Sequence, residues 1–204
     1  MLVSSSHVYR PSYNEVFLSN RTLSHLFKKE GLLLKDALTR LSSDKKRIAW
    51  LAEETAALTG LEQFPQYLTL LFEVDAVFLN DDRHLNNIAV LEKGGRFDYC
   101  PIFDNGAGLL SNVQMAPMDI DPTALIRSAK ARPFNTTFNR QVIHARNLYE
   151  PQLHIPKYTE EALRRELEEP LSYYAQRDRG FIADRVCQTI LTRQREFKKA
   201  EVKN

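Results

Sequence analysis

The sequence predicts a mainly α, α+β fold, and three observations carry that prediction. The first is the stretch from Gln66 to Leu79, apolar nearly all round through Leu68, Leu71, Phe72, Val74, Val77 and Phe78. Such a helix belongs inside a core rather than on a surface. The second is helical spacing of apolar residues through most of the remaining chain. The third is a pair of β-favouring segments, Ile88 to Leu91 and Phe97 to Ile102, around Lys93-Gly94-Gly95-Arg96. Gly-Gly tolerates the positive φ values of a tight hairpin.

Residues 1–20 read as an extended, hinge-like segment, with Val8, Tyr9, Val16, Phe17 and Leu18 as its β-favouring residues. Residues 21–204 read as one helical unit. Asn20 is expected to cap a short helix carrying Leu23, Leu26 and Phe27 and stopped at Gly31. Leu34, Leu38 and Leu41 continue at helical spacing. Ser43 or Asp44 starts a firmer helix with Ile48, Leu51, Ala52, Thr55 and Leu58 as its stripe, ended by Gly60; Trp50 lies off that stripe, as a second packing face, the commoner case, or as an exposed contact. Pro65 suits the first turn of the central helix. Within that helix Glu73 and Asp75 want partners if buried, and Arg83 is the obvious one for a carboxylate. Beyond it, helices are expected over Thr123 to Ala129, about Thr137 to Tyr149, from Thr159-Glu160-Glu161, and from Phe181 to Phe197 with Ile182, Val186, Ile190 and Leu191 inside.

Composition narrows the class. Of the 204 residues 43% are hydrophobic and 26% charged, ordinary values for a soluble globule. Cys100 and Cys187 show no paired metal spacing and no disulfide framework, which fits a reducing cytosol. Met1-Leu2-Val3 and three serines offer neither the basic region nor the apolar run of an export signal or membrane span. The expectation is a cytoplasmic protein without a membrane partner. Residues 1–121 carry 12 basic and 16 acidic side chains, and residues 122–204 carry 16 and 10. Without a long basic block, the excess in the second part reads as solvated helix faces, and direct contact with nucleic acid is not expected.

The chemistry-bearing stretch runs from Asn80 to Ser111. Asp82 and Asn87 stand five residues apart in D-R-H-L-N-N, and Asp104 comes twenty-two residues after Asp82, inside Phe103-Asp104-Asn105-Gly106. Metal-dependent phosphoryl transfer needs such a set: a carboxylate for the nucleophile's proton, an amide oxygen for Mg²⁺, and a second carboxylate for the metals on the phosphates. The hairpin between the clusters would return Asp104 to the side of Asp82 and Asn87. His84 either assists proton transfer or braces the loop.

Asp82-Arg83-His84 with Asn87, and then Pro101-Ile102-Phe103-Asp104-Asn105-Gly106, resembles the catalytic core of the HipA-like bacterial Ser/Thr kinases, which include toxin kinases. The D-R-H-x-x-N order is also similar to that of phosphatidylinositol 3- and 4-kinases. The resemblance covers about thirty residues and implies the C-terminal lobe of a protein-kinase-like fold, with a catalytic loop at 80–87 and a metal loop at 103–108. It implies Asp82 as catalytic carboxylate, Asn87 and Asp104 as Mg²⁺ ligands, ATP and Mg²⁺ as cofactors, and a protein Ser/Thr hydroxyl as acceptor. Met1 to Tyr9 would then fall where the hinge between lobes runs. No G-x-G-x-x-G occurs and no Lys lies in a strand pattern, so the phosphate-covering lobe is expected from a separate chain or segment, with an antitoxin as a further candidate partner. Residues 107–122 have the position of an activation-type segment, with Ser111 as their one hydroxyl side chain. The alternative reading is a catalytically silent helical module that binds a partner protein or nucleic acid.

Overall fold

The computed structural model describes residues 19–201 as a mainly helical α+β unit. In order the elements are β1 (Ser19–Thr22), α1 (Leu23–Lys29), α2 (Leu34–Thr39), α3 (Asp44–Thr59) and α4 (Phe64–Phe78). After these come β2 (Ala89–Lys93), β3 (Arg96–Tyr99), α5 (Pro122–Ser128), α6 (Phe138–Tyr149), α7 (Glu160–Leu171) and α8 (Gln176–Glu201). The expected hinge at Met1 to Tyr9 lies outside the described residues.

The hairpin forms as expected: β2 and β3 pair antiparallel with Lys93 opposite Arg96, and Gly94 and Gly95 take φ values of 56° and 78° at the turn. It is not the whole β content. Ser19 to Thr22 pair with Glu92 to Ala89, so β1 adds a third strand and straddles the expected boundary at residue 20. Asn20 is therefore a strand residue, and Thr22 caps α1 by accepting from the His25 backbone N–H at 3.3 Å. The strand runs directly into the helix, with Thr22 ending one and capping the other. Leu23 at once donates its N–H to the Ile88 carbonyl, 2.9 Å away, which ties the start of α1 to the sheet.

α4 is the organising helix. Phe64, Leu68, Leu71 and Phe72 enter a core with α1, α2 and α3, while Ala76 and Val77 enter a second one with α5, α6 and Phe197 of α8. It is not buried all round: Phe78 is exposed, and Leu70 and Val74 are half-buried. Both internal carboxylates are buried and paired. Glu73 accepts from Arg146 Nε at 2.5 Å and from the backbone N–H groups of Gln152 and Leu153 at 3.0 and 2.7 Å. Burial pushes the Glu73 carboxyl upward, against the pull of these donors. Asp75 pairs with Arg83.

α3 runs from its Ser43 cap to Gly60, which takes φ 73° at the helix end. Ile48, Leu51, Ala52 and Thr55 are buried as expected, but Leu58, in the last turn of the helix, is exposed. Trp50 packs on Phe27, ring centroids 5.6 Å apart.

α8 departs most from expectation. Of its expected inward residues Ile190 is buried, but Ile182, Val186 and Leu191 are only half-buried, and the inward face also carries Ala183, Arg185, Cys187, Thr189 and Arg193. The basic excess of the second part is thus not all solvated. Arg146 lies 4.1 Å over the Phe197 ring, Arg193 stands 5.4 Å from that of Phe138, and both guanidiniums are buried. No helix among the described residues is long and apolar enough to cross a membrane.

Candidate functional site

The site begins with how α4 ends. No glycine marks its C-terminus; Leu79 itself takes the left-handed conformation, φ 53° and ψ 43°, with its N–H on the Asp75 carbonyl. That conformation is costly for a residue with a side chain, and Leu79 is held in it by burial. The next residue, Asn80, donates its N–H to the same carbonyl and its Nδ2 to Asp75 Oδ1, both at 2.9 Å. The chain therefore leaves the helix sharply, directly into Asp81 and Asp82.

Arg83 anchors the loop that begins there. Its side chain is fully buried, and all five of its N–H groups have acceptors. Nε and Nη2 grip the two oxygens of Asp75 at 2.9 Å each, the bidentate geometry that guanidinium and carboxylate favour. Nη1 donates to the carbonyls of Asn87 at 3.0 Å and Phe103 at 2.5 Å, and Nη2 also reaches Asn105 Oδ1 at 2.6 Å. One residue thus fastens the end of α4, the 80–87 loop and the 103–105 loop together. Burial pushes the Asp75 carboxyl upward while Arg83 and Asn80 pull it back.

From its other end, α4 holds the hairpin's exit. The Tyr67 hydroxyl donates to the Cys100 carbonyl at 2.7 Å, and the Gln63 N–H donates to the Tyr99 hydroxyl at 3.1 Å. Burial pushes the Tyr67 hydroxyl above the ordinary tyrosine range and the Cys100 thiol likewise upward.

The four residues singled out by sequence take different positions in this frame. Asp82 is exposed and its carboxylate makes no hydrogen bond among the described residues; its carbonyl accepts from His84 N–H at 2.8 Å and from Asn87 Nδ2 at 3.0 Å. Asn87 is buried, and with Nδ2 committed, Oδ1 is its remaining ligand atom. Asp104 is exposed with φ 53°, a left-handed position that Asp tolerates better than most side chains. Its neighbours Phe103 and Asn105 are the two that Arg83 holds. His84 is exposed; its backbone braces the loop, donating to Asp82 and accepting from Asn87 N–H at 2.8 Å, while its ring makes no hydrogen bond among the described residues.

After Asp104 the chain turns back onto α4. Gly108 lies where a Cβ would stand 3.2 Å from the Phe78 carbonyl, so a larger residue would force that backbone apart. The Ser111 hydroxyl donates to the Gly106 carbonyl. The rest of the 110–120 segment is held by Arg185 of α8, whose guanidinium donates to the carbonyls of Ala116 and Pro117 at 2.6 Å each and, more distantly, to those of Leu110 and Ile120. Nothing in the spacing of α8 signals that role. An arginine at a helical position without a carboxylate partner nearby reads as surface until its non-local acceptors are known.

Among the described residues no three His, Cys, Asp or Glu side chains gather as a metal set. Compared with protein-family models, with curated proteins and with solved structures, the chain finds no match in any of the three.

Proposed function

We propose that this chain is the metal-binding catalytic lobe of a HipA-like Ser/Thr protein kinase, acting in the cytoplasm on a protein hydroxyl. The observation that supports it most is the Arg83 clasp. It draws the D-x-x-x-x-N loop and the loop of Asp104 to one point, while leaving the carboxylates of Asp82 and Asp104 outside its own bonding.

The donor set fits Mg²⁺. Asp104 offers a carboxylate and Asn87 an amide oxygen, the hard ligands that this ion takes, with phosphate oxygens and water completing its shell. Held by Asp104 and Asn87, such an ion would supply positive charge against the charge that develops on ATP phosphates in phosphoryl transfer. The chain's own residues do the rest. Asp82, its carboxylate outside every hydrogen bond of the described residues, is the group to orient an acceptor hydroxyl and take its proton. The Asn87 amide is held by its bond to the Asp82 backbone carbonyl, which ties the two ends of the 82–87 loop together. Arg83, with every donor committed, touches no phosphate; its part is positioning. The glycine loop and lysine of such an enzyme would come, in this reading, from a segment or partner chain beyond residues 19–201.

The experiment is calorimetry of ATP into the purified chain, with and without Mg²⁺. Weak, metal-dependent binding is expected, and Asp104→Asn should abolish it, whereas Asp82→Ala should bind as before. Binding that ignores the metal, or survives Asp104→Asn unchanged, would sink the assignment.

A further inference from the structure

A groove of about 790 Å³ lies between α5, the start of α6 and the last turns of α8. It contains none of the four residues of the Asp82 site. Its charge is one-sided: Arg127, Arg193, Arg195 and Lys198 line it, against the single carboxylate of Glu196. That carboxylate already accepts from Asn139 Nδ2 at 3.0 Å. None of the four cations forms a close ion pair with a described residue; Glu196 acts on Arg193, and Asp121 on Arg127, only from farther off.

Arg193 is the deepest of the four. Its side chain is buried, its Nε donates to the Ala76 carbonyl at 2.6 Å and its Nη2 to Asn139 Oδ1 at 3.0 Å. Nη1 donates to no described residue. Desolvation pushes this guanidinium down to about 10, so the fold bears a cost for holding a charge there that an arriving anion would relieve. The first turn of α6, capped by Thr137, also borders the groove. Ile126 and Phe138 supply an apolar wall. The volume lies within the range of small-molecule sites, about 300–1,000 Å³.

We propose that this groove is a second ligand site, for a phosphorylated organic molecule of nucleotide size carrying more than one phosphate. The cations come from two helices, α5 and α8, so a single phosphate would leave most of them unanswered. The apolar wall suits the carbon skeleton that bears the phosphates. The proposal stands apart from the kinase reading, since it shares none of its residues.

The probe is tripolyphosphate without metal, titrated into the chain against sodium chloride of matched ionic strength. Saturable binding of one equivalent is expected. Arg127 and Arg195 are not buried, so the double variant Arg127→Gln/Arg195→Gln should fold, as its unfolding transition will show, and should lose about tenfold or more in affinity. Asp104→Asn should bind as the parent does, which separates this site from the other. Three results would overturn the proposal: no binding beyond the chloride control, affinity unchanged in the double variant, or loss of binding in Asp104→Asn. So would a short single-stranded oligonucleotide that binds more tightly than tripolyphosphate and gains affinity with length, for the groove would then belong to a nucleic-acid surface.

Discussion

Arg83 and Arg185 are both buried guanidiniums, yet they stabilise the molecule in different ways. Arg83 faces a carboxylate eight residues away and closes a compact, fully bonded cluster. Arg185 faces backbone carbonyls 65 to 75 residues away, and its acceptors are the bare peptide groups of a segment without regular structure. The first balances charge against charge. The second adds side-chain donors to a segment whose own backbone bonds are few. One builds the candidate site, and the other keeps the loop behind it in place.

The largest expected effect breaks the first of these. Arg83→Met should cost about 3–5 kcal/mol in denaturant unfolding, because it strands the buried Asp75 carboxylate. Asp75→Asn combined with it should recover part of that loss. Arg185→Met should cost less, about 1–3 kcal/mol, the range for hydrogen bonds to a charged donor. Its mark would be local: hydrogen exchange should quicken across 110–120 while the amides of 80–87 stay protected. Equal costs for the two variants, or equal spread of exchange, would erase the contrast between the two arginines.

The smallest effect concerns the hairpin's exit. The Tyr67 hydroxyl is raised above its ordinary value of 10.0 by burial first and then by Cys100. Since the folded value exceeds the unfolded one, the stability it contributes is intact below about pH 10 and falls as pH rises beyond it. Tyr149, raised by burial and Glu53, acts with the same sign. Tyr67→Phe should therefore cost about 1 kcal/mol at neutral pH and flatten, without abolishing, the alkaline decline seen by fluorescence-monitored unfolding. An alkaline slope identical to the parent's would detach Tyr67 from the hairpin.

Legibility in the sequence obeys the same division between near and far. The caps at Ser43, Thr137 and Thr159, the stop at Gly60 and the Gly94-Gly95 turn are local chemistry, and each sits where its residues predict. Asp75 with Arg83 is legible because a buried carboxylate and an arginine two turns on have few other choices. The third strand is not, since Ser19 to Thr22 is polar and gains its pairing only from β2. The end of α4 at Leu79 is hidden for a related reason: a leucine in left-handed conformation carries no mark of it in the sequence. The inward arginines of α8 escape a pattern-based reading because their acceptors are peptide carbonyls, which every residue possesses and no pattern singles out. At the candidate site, the residues and their spacing are legible; the role of Arg83 as the fastener of both loops is not, because two of its acceptors are again main-chain oxygens.

The five-fold bonding of Arg83 also couples three segments of the chain at equilibrium. Its acceptors belong to α4, to the loop after it and to the chain beyond the hairpin, and a buried donor left without an acceptor costs about 1–3 kcal/mol. Loosening any one of the three segments therefore weakens the hold on the other two. Asp82, Asn87 and Asp104 thus share one local stability, although the hairpin separates them in sequence.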